Sequence, residues 1–314
     1  MFIGIDIGGT NTKIGIVSKL GRVVAFSTFK SKMPRDVEDF VKDIYFNVNQ
    51  MLKAESIDID TIEGIGVGVP GVVNEKNIIV ASVNMGWHDL DLASLLKKYF
   101  NKPIYVGNDA NVAMLAEWKF GSAKGANNAI LITLGTGIGS GIILNGKLFT
   151  GTHGMGGECG HMVIKKDGIP CNCGNRGCWE QYASAKALAR RTQEVAEQNP
   201  QSIMNEIIKK YTKASGHTCF EGAKRGDKVA KQLVDEYIDY IVCGLINLTQ
   251  IFHPEVFVIG GGVAKEGPQF IKMIDTKLNE FLTKNQFEPK VAVKHPVLEN
   301  NAGVVGAACL AMDR

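Results

Sequence analysis

The chain has 314 residues, of which 45% are hydrophobic and 21% charged, and its net charge is +3. Such a balance belongs to an ordinary globular protein long enough for two domains. Basic residues come singly or in pairs, such as Lys165-Lys166 and Arg190-Arg191, so no nucleic-acid stripe forms, and no run approaches the ~18 apolar residues of a membrane-spanning helix. The chain opens directly on the strand-like run FIGIDIG, without the pattern of a signal peptide. Seven cysteines, three of them clustered with a histidine, point to metal binding in a reducing cytoplasm and away from disulfides. The other four, Cys159, Cys219, Cys243 and Cys309, read as small buried apolar side chains.

In chain order, residues 2–7, 14–17 and 23–29 alternate with tight turns and predict an antiparallel meander. Asp36 can cap a helix whose apolar residues Val37, Phe40, Val41, Ile44, Val48, Met51 and Leu52 fall on one face. Residues 62–69 predict a buried strand, 92–100 a short helix capped by Asp91, 104–106 a strand, and 110–118 a helix. The opening plan then recurs: IGIDIGGTNTKIGIV and ILITLGTGIGSGIIL are both strand, glycine turn, strand. This weak internal repeat predicts two domains on one design, each presenting a glycine loop. Helices over 184–198, 203–211 and 227–252, a strand at 256–259, a helix at 270–281, a strand near Val291 and a helix at 302–312 complete an α/β pattern.

Three glycine turns carry the first candidate chemistry. In Asp6-x-Gly8-Gly9-Thr10-x-x-Lys13, bare backbone N–H groups, a hydroxyl and a cation share one turn, a concavity suited to phosphate oxygens. Asp6 is an ionisable residue in an apolar strand and needs a partner; a hydrated Mg²⁺ or Lys13 would serve. Further loops occur at residues 135–139 and 260–262, the latter at the end of an apolar strand. Residues 66–71, GVGVPG, fit a dinucleotide fingerprint only formally, because Pro70 and the run Val72-Val73-Asn74 do not open a helix, and there is no Walker A sequence. Asp109, at a strand-to-helix junction, reads as a helix N-cap or as a general base toward a substrate hydroxyl.

Between Gly151 and Tyr182 lies a stretch dense in glycine and metal ligands. His161, Cys171, Cys173 and Cys178 are a ligand set for tetrahedral zinc with no open position, so a structural metal is expected. Glu158 and Glu180 flank it and could hold a polyhydroxylated ligand at a fixed separation.

These residues match a known family. DIGGTNTK, GVGVPG, NDAN, LGTGIGSG, GECGHM, CNCGNRGCWE, IGGG and AGVVGAA span essentially the whole chain, which thereby resembles ROK-family sugar kinases, in particular the bacterial glucokinases among them. The resemblance implies an actin-like, hexokinase-like fold of duplicated ribonuclease H-like α/β domains with an inserted structural zinc segment. It implies a small domain of residues 1–117 plus 301–314 and a large domain of 118–300. Asp109 would be the catalytic base. Asn84, Asn108, Asp109, Glu158, His161 and Glu180 would bind sugar hydroxyls, His161 with the ring nitrogen not used for zinc. Asp6, Gly8, Gly9, Thr10, Lys13, Thr136, Gly137, Gly261 and Gly262 would surround ATP and Mg²⁺. The expected partners are a hexose, ATP and a second copy of the chain, with no nucleic acid or membrane. Glucose is the first expectation for the sugar; N-acetylglucosamine and N-acetylmannosamine stay open, as does a non-catalytic sugar sensor. Many repressors of this family carry a DNA-reading helix-turn-helix ahead of the first phosphate loop, whereas here the strand of that loop starts at Phe2.

Overall fold

The computed structural model describes residues 1–312. Its elements are β1 (Phe2–Ile7), β2 (Asn11–Val17), β3 (Val23–Lys30), α1 (Val37–Ala54), β4 (Gly64–Val69), β5 (Val72–Val73), β6 (Ile79–Ser82), β7 (Trp87–Leu90), α2 (Leu92–Lys97), β8 (Ile104–Asn108) and α3 (Asp109–Phe120). There follow β9 (Ala129–Leu134), β10 (Ile138–Leu144), β11 (Lys147–Phe149), α4 (Glu180–Ala183), α5 (Ala185–Gln198), α6 (Ile203–Tyr211), α7 (Thr218–Lys224) and α8 (Lys228–Phe252). The chain ends with β12 (Val256–Gly260), α9 (Pro268–Lys284), β13 (Ala292–Lys294) and α10 (Ala302–Met312). Two compact units result: residues 1–127, 141–157 and the chain from Pro296 onward form the first, and residues 128–140 with 158–295 the second.

Both large sheets follow one plan. The first has the order β3-β2-β1-β4-β8 and the second β11-β10-β9-β12-β13. In the first, β3, β2 and β1 form the antiparallel meander, and β4 and β8 add in parallel. In the second, β12 runs parallel to both β9 and β13, and β10 and β11 are an antiparallel hairpin. The repeat seen in the sequence is thus a topological duplication, with each glycine turn leaving the same position of its sheet. The central strands β1, β4, β9 and β12 are almost wholly buried, as expected where helices cover both faces of parallel neighbours.

Several elements differ from the sequence expectation. The small sheet β5-β6-β7, the two-turn α7 and the three-residue β11 are too short to leave a period. The predicted helix over 184–198 is α5, with Ser184 capping it through a bond from the Ala187 N–H, while the single turn of α4 just ahead of it leaves no signal in the sequence. The N-cap of α3 is Asn108, whose Oδ1 accepts from the N–H groups of Ala110 (3.0 Å) and Asn111 (3.1 Å), while Asp109 is the first helical residue.

α10 is buried nearly all round and packs against β1, β4 and α3. The contact is backbone to backbone. A Cβ on Gly66 would strike the carbonyl of Ala307, and one on Gly306 the carbonyl of Val112. The segment before α10 is held by Glu117, a fully buried carboxylate on α3. It accepts N–H bonds from Ser122 (2.8 Å), Val297 (3.1 Å) and Leu298 (2.8 Å). A buried polar group is tolerated only with such partners around it.

Glu117→Ala leaves these three backbone donors without an acceptor, at about 1–3 kcal/mol for each one that stays buried. Glu117→Gln keeps a carbonyl oxygen and is expected to lose clearly less. Urea and thermal denaturation of the two variants should rank them in that order; equal losses would contradict the assignment.

Candidate functional site

In the first unit the candidate residues gather at one sheet edge. The register pairs Asp6 with Gly68 and Gly68 with Gly107, so the carboxyl ends of parallel β1, β4 and β8 lie side by side. Two strand spacings place the Asp6 backbone about 10 Å from the end of β8. Asp109 comes next, at the start of α3, exposed, its Oδ1 2.8 Å from the Ala110 N–H. Asn108 spends its Oδ1 on the cap and one Nδ2 hydrogen on the Gly71 carbonyl (3.0 Å), tying the edge to the GVGVPG turn and leaving its second N–H for a ligand. Asn84 is exposed on the short 3₁₀ turn Val83–Met85, next to buried Ser82, which donates to the Pro70 carbonyl.

Asp6 faces Lys13 across β1 and β2, with Oδ2 and Nζ 3.7 Å apart. Burial pushes the Asp6 carboxyl above its usual range, and Lys13 only partly offsets this. Gly303 abuts the same carboxylate, leaving no room there for a side chain. The Gly8 N–H closes the turn onto the Asn11 carbonyl (3.0 Å), and Gly9 and Thr10 are exposed. Ser31, which belongs to no motif in the sequence, fixes this turn from below. It is fully buried, its N–H donates to the Thr10 carbonyl (3.0 Å) and its hydroxyl to that of Gly8 (2.6 Å). Its only sequence signal is a small hydroxyl residue at the end of an edge strand.

In the second unit, the register Gly260 with Thr133 puts the two other glycine loops at the carboxyl ends of neighbouring parallel strands. Gly261 adopts φ +88° and any Cβ there would strike the backbone of Leu134, so the loops interlock only with glycine. Thr136 is exposed, and Gly262 has open space above it. Glu180 reaches this turn: a Cβ on Gly137 would lie 2.6 Å from Glu180 Oε2.

The zinc segment brings its four expected ligands together. One donor atom each from His161, Cys171, Cys173 and Cys178 lies within 4.8 Å of all the others. The His161 Nδ1 to Cys171 Sγ distance is 3.6 Å, as is Cys173 Sγ to Cys178 Sγ. A tetrahedral zinc with bonds of about 2.0–2.3 Å needs ligand atoms roughly 3.5–3.8 Å apart, so the cluster fits the metal. Burial and crowded thiols push Cys178 up to about 12, and burial raises Cys171, while backbone N–H bonding from Asn175 lowers Cys173. A divalent cation supplies what the thiols lack for ionising. His161 turns Nδ1 inward, which leaves Nε2 facing away from the cluster. Glu180 Oε1 accepts from the Cys171 thiol (3.2 Å); that proton leaves when a metal is bound, and the carboxylate oxygen is then released. Glu158 is exposed at the head of the Cys159–His161 turn. This turn is pinned to β10 by the bond from the Cys159 N–H to Ser140 Oγ (3.1 Å).

Trp179 anchors the segment. It is fully buried, donates from Nε1 to the Tyr240 carbonyl (2.7 Å) and lies in a notch of α8 that exists because residue 244 is glycine. Of the remaining cysteines, Cys159, Cys219 and Cys309 are buried, and Cys243 is half-buried. No helix among the described residues is long and apolar enough to cross a membrane.

Purified protein should contain about one equivalent of zinc, and strong chelation should lower the melting temperature while the first unit stays folded. Metal analysis with thermal denaturation before and after chelation tests this; a metal-free protein of unchanged stability refutes it. The raised pKa of Asp6 gives a second test. The fold holds that proton more tightly than the unfolded chain does, so stability is lost as pH rises above the ordinary value of 3.8. In ligand-free protein, Asp6→Asn should therefore melt higher than wild type at neutral pH, the gap closing toward about pH 4.

Comparison with known proteins accords with this geometry. The family model described as "ROK family" matches residues 2–314. A glucokinase of Thermotoga maritima is 32% identical over 314 residues, covering 99% of this chain and 97% of its own. A xylose repressor of Caldicellulosiruptor bescii is 30% identical over 313 residues, covering 99% of this chain and 77% of its own. The solved structure of a ROK family glucokinase from Streptomyces griseus, in complex with glucose and AMPPNP, superposes with a TM-score of 0.84 at 33% identity, covering 100% of this chain and 99% of that one. With its duplicated sheets, its glycine turns and its Cys₃His cluster, the chain belongs to the ROK family.

Proposed function

We propose that the protein transfers the γ-phosphoryl group of MgATP to the 6-hydroxyl of glucose, giving glucose 6-phosphate and ADP. The carrying observation is the sheet edge at which Asp109 shares an end with the Asp6–Lys13 pair. A carboxylate for a hydroxyl proton and a half-buried acid–base pair at a glycine turn are parts that phosphoryl transfer uses. The glucokinase identity of the Thermotoga relative, and the glucose and AMPPNP held by the Streptomyces structure, support the reading.

In this mechanism Asp109 accepts the proton of the 6-hydroxyl as the oxygen attacks phosphorus. Its place at the first turn of α3, restrained by its own bond from Ala110, keeps it oriented. The turns at Gly8–Thr10, Thr136–Gly137 and Gly261–Gly262 offer backbone N–H groups to the phosphates, and Lys13 adds charge. Asp6 would hold a hydrated Mg²⁺, which would supply charge neutralisation on the phosphates. Sugar hydroxyls bond to Asn84, Asn108, Glu158, Glu180 and His161 Nε2. His161, Cys171, Cys173 and Cys178 would hold a structural zinc, which would fix His161 and, through the neighbouring Cys178, the turn that carries Glu180. We place the reaction in the cytoplasm, where the metal-binding thiols stay reduced.

The xylose repressor relative favours a second reading, a sugar sensor without turnover. A coupled ADP-release assay across glucose, mannose, N-acetylglucosamine and N-acetylmannosamine decides. Glucose is expected to give the highest kcat/KM; a higher value for an N-acetylhexosamine reassigns the substrate, and silence on all four with sugar still bound supports the sensor. Asp109→Asn should lose about 10²–10⁴-fold in kcat while retaining sugar affinity. Turnover near that of wild type would remove Asp109 as the base.

A further inference from the structure

A cavity of about 600 Å³ lies within the second unit, between the outer strip of the zinc segment, α4, α5 and α8. The reaction above makes no use of it, yet its size is that of a small-molecule site. Two of its walls are aromatic: the rings of Tyr182 and Tyr240 are 5.0 Å apart with planes inclined by 34°. The lining cations split into two sets, and exposed Asp167 adds one carboxylate at the rim. Arg191 is held by Glu236 (3.0 Å) and Glu194 (3.5 Å), so it is already neutralised. Lys165 and Arg176, both on the zinc segment, are exposed at the rim and their side chains make no ion pair or hydrogen bond among the described residues.

We propose that this cavity binds a phosphorylated ring compound, a sugar phosphate or a nucleotide, as an effector of the sugar site. The tyrosine pair offers a surface for the face of a base or for the C–H face of a sugar ring. Lys165 and Arg176 are the two cations with no internal partner, and a phosphate on that ring would engage both. Unphosphorylated sugar lacks the group they select.

The cavity is wired to Glu180. Gln181 and Tyr182 are the next two residues of the four-residue helix α4 that Glu180 begins, and both line the cavity. The Tyr182 hydroxyl accepts the Ile169 N–H (2.9 Å), Arg190 donates to the Gln181 carbonyl (2.7 Å), and Gln181 Nε2 lies 3.4 Å from Glu180 Oε1. A ligand bearing on Tyr182 and Arg190 therefore acts on the turn that aims Glu180. This regulatory step rests on the reading of Glu180 as a sugar-binding carboxylate; binding in the cavity does not.

The test uses zinc-loaded wild-type protein and the Lys165→Ala/Arg176→Ala double variant, whose changed residues are exposed and outside the reaction machinery. Saturating glucose and a non-hydrolysable ATP analogue fill the reaction site. Titration calorimetry then probes glucose 6-phosphate, ADP and inorganic phosphate separately. One or both ring phosphates should bind at one equivalent, at least about tenfold tighter than inorganic phosphate, and at least about tenfold weaker to the double variant, differences of ~1.4 kcal/mol or more. Glucose 6-phosphate binding alone identifies a sugar phosphate, and ADP binding alone a nucleotide. No binding of either, equal binding of inorganic phosphate, or undiminished binding to the double variant overturns the proposal. Kinase turnover is measured on the same preparations. Turnover without second-site binding removes the effector site and leaves the proposed function standing; binding without turnover does the reverse. In an active enzyme the effector should shift the KM for glucose in wild type and not in the double variant, and an unmoved KM removes the coupling to Glu180.

Discussion

The burial of Trp179 in the notch of α8 is the contact on which the Cys₃His segment depends. Cys178, Trp179 and Glu180 are consecutive. The first is a metal ligand, the second the anchor and the third the carboxylate beside the 135–139 turn. A segment of glycines and short bridges has almost no core of its own. Within it, isolated bridges pair Val163 with Cys178 and Pro170 with Arg176, and turn bonds such as Cys171 N–H to the Asn175 carbonyl and Gly177 N–H to the Ile169 carbonyl tie the loops, but few apolar side chains are buried there. One large side chain fixed in a rigid helix, together with a four-ligand metal cluster, replaces that missing core. Burial of such an indole contributes on the order of 3–5 kcal/mol, as judged by the cost of truncating one. A zinc ion at the Cys₃His cluster would contribute comparable or greater free energy to a segment with so little core of its own.

The duplicated sheets solve a different problem. Parallel strands end at one edge, and each sheet places glycine turns there. The first sheet uses that edge for charge, with Asp6, Lys13 and Asp109; the second uses it for bare backbone, with the loops at Gly137 and Gly261. Divergence of two copies of one plan thus gives two kinds of surface from the same topology. The supporting residues are less visible than the ones they support. Ser31 under the first turn and Glu117 behind α3 touch no expected ligand, yet each satisfies backbone groups that would otherwise leave the edge loose.

Much of this was legible in the sequence because the decisive residues act locally. The Cys₃His set, the meander, the Asp36 cap and the repeat are all encoded by spacing within a short window. What spacing does not encode is contact across the chain. Asn108 and Asp109 both suit a helix N-cap, and only the backbone geometry assigns the cap to Asn108, leaving Asp109 on the helix itself. Glu117 reads as one more charge on a helix, because its partners lie at Val297 and Leu298. β5, β6, β7 and β11 are held by their neighbours and not by their own propensities, so no period marks them. The cavity beside α4 is built from residues near 165, 182 and 240 and has no linear signature.

The placement of α10 also bears on how the chain is made. This helix closes onto β1, β4 and α3 through glycine-to-backbone contacts, and it is synthesised after every other described element. Until then the first sheet exists with one face uncovered: a strip of Ile, Val and Gly along β1 and β4, bare to every other nascent chain nearby. The second unit, which lies between α3 and α10 in sequence, is complete before the first is. The first domain begun is therefore the last finished, and the period of greatest exposure to aggregation is set by translation time rather than by the stability of the finished fold.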